Sequence, residues 1–67
     1  MDIGNKIQNA RKNTGLTQSE LAQKLGVSRQ SVSNWENNRA YPDIVSIINI
    51  SDICEISLDS LLKDDKK

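Results

Sequence analysis

Sixty-seven residues, 36% of them hydrophobic, make one small domain, and a domain of that size buries only about 60% of the surface its unfolded chain exposes, leaving little for a deep cleft. One cysteine and no histidine exclude an internal disulfide and any histidine-bearing metal cage or acid–base pair. Net charge is zero, but residues 1–40 carry six basic side chains against three acidic ones and residues 41–67 the reverse, so a polyanion is drawn to the first part and repelled by the second.

The first segment, "DIGNKIQNARKNT", puts Ile3, Ile7, Ala10 and Thr14 on one face of a helix. Asp2 is placed to cap its start, and Gly15 stands where a left-handed C-terminal cap is expected. The second segment opens with Thr17 and Glu20, the S/T-x-x-E spacing of a capping box. Its buried stripe is Leu21, Ala22 and Leu25, and Gly26 ends it. Only Val27 then separates Gly26 from Ser28, a good N-cap for a third helix over residues 29–37.

At 100° per residue that third helix has two unlike sides. Val32, Trp35 and Glu36 fall on one; Arg29, Gln30, Ser33, Asn34 and Asn37 fall on the other. "NNRAYPD" reads as a loop, with Tyr41 held extended before Pro42. The fourth segment, Asp43 to about Glu55, is isoleucine-rich. Its length and the stripe Ile44, Ile47, Ile48, Ile50, Ser51 and Cys54 favour a helix over a strand, with Val45 and Ile53 needing another cover. Ser57 caps a last short helix bearing Leu58, Leu61 and Leu62. The expectation is an all-α domain of five helices over residues 1–62, with 63–67 a polar tail.

Two helices joined by "LGVS" form a helix-turn-helix corner. What gives it meaning is the outward face of its second helix. A merely solvated face carries Lys and Glu; this one has three amides, a serine, an arginine and no acid. Arg pairs bidentately with guanine, Gln and Asn with adenine, and Ser with several base edges. That surface suits double-stranded DNA better than it suits solubility.

"LTQSELAQKLGVSRQSVSNWENNRAYPD" closely resembles the phage-repressor, or Cro/XRE-type, helix-turn-helix family. The upstream "IG..I...R" and downstream "P....I......ISLDSLL" fit as well, so the resemblance covers about residues 3 to 62. It implies a lambda-repressor-like fold with the helix-turn-helix at helices 2 and 3. It implies that Arg29, Gln30, Ser33 and Asn34 face base edges, and that Gln18, Asn37, Asn38 and Arg39 contact phosphate, Gln18 also bracing Gln30 or Arg29. Many relatives have Gly where Asn38 stands; Asn still tolerates a left-handed turn. Arg11 and Glu36 match positions that form a salt bridge between the first and third helices.

No catalytic residue, metal or cofactor is expected: there is no glycine-rich phosphate loop and no convincing carboxylate pair. Trp35 and Cys54 read as core side chains. The single free thiol and the lack of a secretory pattern point to the cytoplasm, and "IVSIINISDICEI" is too short to span a membrane. The expected function is a transcriptional regulator, a repressor binding a palindromic operator as a homodimer through its C-terminal region, around Ile53, Ile56 and Leu58. The alternative is an antitoxin-type interaction module with secondary DNA binding.

Overall fold

The computed structural model describes residues 2–62; the polar tail at 63–67 lies outside them. Five helices follow in order: α1 (Ile3–Asn13), α2 (Gln18–Leu25), α3 (Arg29–Glu36), α4 (Ile44–Ile53) and α5 (Leu58–Leu62). No strand occurs among the described residues.

Local chemistry sets the helix starts. The side chains of Asp2, Thr17, Ser28 and Asp43 each accept from a backbone N–H three residues on, at the N-termini of α1 to α4. The α2 start is a full capping box, with Thr17 and Glu20 bonding reciprocally at 2.9 and 3.1 Å, which satisfies two of the N–H groups a helix end leaves open. Ser57 accepts from the Ser60 N–H at 3.0 Å at the start of α5. Gly26, at φ +74, closes α2 in the left-handed conformation that lets the chain turn straight into Ser28. The third helix ends at Glu36 rather than 37, with Asn37 as its C-cap.

α3 packs on both α1 and α2, α2 also meets α4, and α5 closes against α1 and α4. The core between them is Ile3, Ile7, Ala10, Leu21, Ala22, Val32, Trp35, Ile47, Ile50, Cys54 and Leu61, with Leu25, Ile53 and Ile56 partly buried against it. Burial of Cys54 pushes its thiol pKa up, which makes it a small core apolar group with little thiolate character.

One sequence expectation fails in part in α4: of the expected stripe, Ile47, Ile50 and Cys54 are buried, but Ile44 and Ile48 are not. The stripe that faces inward is Ser46, Ile47, Ile50 and Cys54. Ile44 is 62% exposed and Ile48 43%, alongside Val45 at 60%. Six of the ten residues of α4 are Ile or Val, spread around the helix, so hydrophobic periodicity alone does not choose the buried side. Packing against α2 and α5 chooses it. Ile53 is partly buried against the core.

α1 and α3 approach very closely at Gly4. A Cβ there would lie 2.6 Å from the carbonyl oxygens of both Trp35 and Glu36. Glycine is required by that contact and by nothing visible in the helical pattern of α1.

Candidate nucleic-acid interface

α3 is the floor and the face of the site. Val32, Trp35 and Glu36 are buried against α1 and α2, which turns the opposite side outward. Arg29 and Gln30 are exposed, as is Asn37 beyond the helix end; Ser33 and Asn34 are half-buried. Gln30 Nε2 donates to Asn34 Oδ1 at 3.2 Å, one turn along the same face. Gln30 Oε1 and Asn34 Nδ2 have no partner among the described residues, so this amide pair still offers one acceptor and one donor edge outward.

Beneath that face runs a chain of polar bonds linking three helices. Arg11 on α1 forks onto Glu36, with Nε to Oε2 at 2.7 Å and Nη2 to Oε1 at 3.2 Å. Its remaining Nη1 donates to the Leu16 carbonyl at 2.8 Å. The Glu36 side chain is 1% exposed. A buried carboxylate needs such a full set of donors, because taking it out of water is costly. Gln18, at the start of α2, adds a third donor, Nε2 to Glu36 Oε1 at 3.0 Å. Gln18 Oε1 then accepts from Arg29 Nη1 at 2.9 Å. The network therefore begins in the core and ends on the exposed face.

The four residues expected at phosphate divide sharply. Gln18 is half-buried with one amide N–H unspent. Arg39 is exposed, and its guanidinium has no partner among the described residues. Asn37 is turned back on its own helix, Nδ2 donating to the Ser33 carbonyl at 2.9 Å. Asn38 is mainly a brace. It sits at φ +59, a left-handed turn asparagine tolerates. Its Oδ1 accepts from the Gly4 N–H at 3.0 Å and its Nδ2 donates to Asp2 Oδ1 at 2.9 Å. That bond with Asn38, and next the Asn5 N–H, hold the Asp2 carboxyl below its usual pKa. Sequence reasoning missed this link from the loop after α3 to the start of α1. Residues 2 and 38 are far apart in the chain, and both carry ordinary turn and cap chemistry.

Five short helices with an exposed amide-rich face on the second helix of a tight two-helix corner define a helix-turn-helix domain. Residues 7–61 match the helix-turn-helix family, and the chain belongs to that family, of the Cro/XRE type. Among its relatives, the HTH-type transcriptional activator BcrR of Enterococcus faecalis is 39% identical over 62 residues, 92% of this chain and 30% of BcrR. The antitoxin HipB of Escherichia coli K12 is 34% identical over 56 residues, 84% of this chain and 64% of HipB. The chain thus spans about a third to under two thirds of the length of these relatives. Among solved structures, the P22 c2 repressor in complex with a synthetic operator superposes with a TM-score of 0.88 at 31% identity, covering 97% of this chain and 98% of that one. SinR, a master regulator for biofilm formation solved in complex with DNA, gives 0.83 at 35% identity over 91% and 98%.

Proposed function

We propose that this chain is the DNA-reading domain of a transcriptional regulator, a repressor that binds a palindromic operator and blocks polymerase there. The observation that carries the reading is the outward face of α3, made of hydrogen-bonding side chains and held by a polar network rooted in the core. The likeness to P22 c2 and SinR, both solved on DNA, supports it. In this reading Arg29, Gln30, Ser33 and Asn34 reach base edges in the major groove. Arg39 and Gln18 supply phosphate contact, Asn37 sits at the helix end beside them, and Asn38 shapes the loop, with one amide N–H left for a phosphate. Phosphate contacts set register and base contacts set sequence.

Two copies related by a dyad would place their α3 helices in successive major grooves, with half-sites about 34–36 Å apart. The pattern of exposed apolar side chains supports a second copy bound on a different surface from Ile53 and Ile56. Ile53 and Ile56 are partly buried by the domain's own core, whereas Tyr41, Ile44, Val45, Ile48, Leu58 and Leu62 are exposed. A homodimer contact therefore falls on the outer face of α4 and the exposed side chains of α5. The antitoxin reading uses this same apolar face for a different protein and is favoured only by the likeness to HipB. The cytoplasm is the compartment that fits a DNA-bound regulator, and no helix among the described residues is long and apolar enough to cross a membrane.

The test is selection of DNA sequences from a random pool, repeated with variants. Gln30→Ala changes which sequences are chosen. Arg39→Ala leaves the chosen sequence alone, weakens every site, and lowers the salt dependence by about one counterion. Binding that is indifferent to salt, or a pool that returns no preferred sequence, overturns the proposal.

A further inference from the structure

We infer that Glu36, which faces the core and not the DNA, is a positioning residue for base reading, acting on Arg29 through Gln18. The inference rests on the base-reading role proposed for Arg29. Its ground is the polarity of the bonds. A carboxylate only accepts hydrogen bonds. Glu36 Oε1, taken at 3.0 Å by Gln18 Nε2, therefore admits one orientation of the Gln18 amide, with its NH2 inward. The carbonyl is left pointing at Arg29, where it accepts from Nη1 at 2.9 Å. An inverted amide would set its NH2 against a guanidinium that has only donors, and its carbonyl against a carboxylate that has only lone pairs. Both ends of the relay reject the flip.

The consequence is for an exposed side chain. A free arginine on a helix surface samples many rotamers and loses that freedom when it docks on a base. Arg29 is tethered before DNA arrives, with one N–H of five used and enough left for the two-bond contact with guanine. The carboxylate cannot wander either, since Arg11 grips both of its oxygens. The relay thus transmits a fixed core geometry to one position of the DNA-facing surface. Gln30 does not share it: its side-chain bond goes to Asn34.

Measuring base discrimination at two operator positions tests this. The first is the position whose preference is lost in Arg29→Ala, the second the one lost in Gln30→Ala. In Glu36→Gln the inner end no longer fixes the Gln18 amide, because a glutamine there can donate as well as accept. Discrimination at the first position falls about fivefold, the scale of one hydrogen bond, while the second keeps its preference, with affinities corrected for the folded fraction. In a Gln18→Met background the same Glu36→Gln change has no further effect on discrimination. Gln18→Met alone keeps the Arg11–Glu36 pair and serves where Glu36→Gln folds poorly: it too loses discrimination at the Arg29 position first. An equal loss at both positions, in either variant, overturns the relay and leaves Glu36 a stabilising residue and Gln18 a phosphate ligand. If neither Arg29→Ala nor Gln30→Ala alters any preference, the base-reading assignment falls together with the relay.

Discussion

The two halves of this domain are held by different kinds of interaction. α1, α2, α3 and the loop after α3 are tied to one another by side-chain hydrogen bonds that cross between elements, from Arg11 to Glu36, Gln18 to Glu36, Arg29 to Gln18, the Gly4 N–H to Asn38, and Asn38 to Asp2. Among the described residues, the side-chain hydrogen bonds at the helix starts and ends of this half run mostly to near neighbours, as Asp43 with Ser46, Ser51 with the Ile56 carbonyl and Ser57 with Ser60, and apolar packing does most of the joining. The first half shows polar groups outward; the second shows Ile44, Val45 and Ile48. Directional bonds fix positions closely, which suits the base reading proposed for the first half. Apolar contact is non-directional and suits the self-association proposed for the second.

The largest expected effect comes from breaking the first half at its centre. Glu36→Ala leaves the Arg11 guanidinium buried without its carboxylate and costs about 3–5 kcal/mol. For a domain whose whole stability is of the order of 5 kcal/mol, urea titration of this variant shows little folded protein remaining. A wild-type midpoint removes the bridge from the account. Gly4→Ala comes next. Its methyl must displace the Trp35 and Glu36 carbonyls, which are backbone and yield poorly, so α1 is levered off α3 at a cost of about 1–3 kcal/mol. Thermal melting reads that loss directly.

The second half responds in the opposite way. Val45→Lys on the exposed face of α4 changes monomer stability by no more than about 0.5 kcal/mol, yet weakens self-association in sedimentation equilibrium and reduces cooperative binding to a two-half-site operator. If stability falls instead and association is untouched, α4 is facing the core there and the contrast between the halves fails.

The smallest effect is at low pH. Asp43 is held below its usual pKa first by its hydrogen bond with the Ser46 hydroxyl, and Asp2 by Asn38. A carboxylate with a depressed folded value contributes stability that is complete above its ordinary value and fades as pH falls through the lower folded one. Melting temperature therefore declines below about pH 4, the ordinary aspartate range, and Asp43→Asn, which still caps α4, shows a shallower decline with little change at neutral pH. Identical acid profiles would show that the α4 cap carries no charge-dependent part of the stability.

Much of this molecule was legible in single residues and short spacings. Thr17 with Glu20, Gly26 and Ser28 act within four residues of themselves, so the corner between α2 and α3 is written locally. The same holds for α3, where a 100° step separates Trp35 and Glu36 from Gln30 and Ser33. Family resemblance added Arg11 to Glu36, which periodicity does not pair. Both found α4 as a helix, but neither fixed its buried side fully: with Ile and Val on several sides of one helix, burial of Ile44, Val45 and Ile48 depends on where α2 and α5 arrive. Nor did they reach Gly4 under the α3 carbonyls, the Asn38 bonds to Asp2 and Gly4, or the tie from Gln18 to Glu36. Caps, turns and helix faces follow from bonds between near neighbours. Which apolar side stays wet and which amide is locked are decided by distances between elements far apart in the chain, and those exist only once the helices have packed.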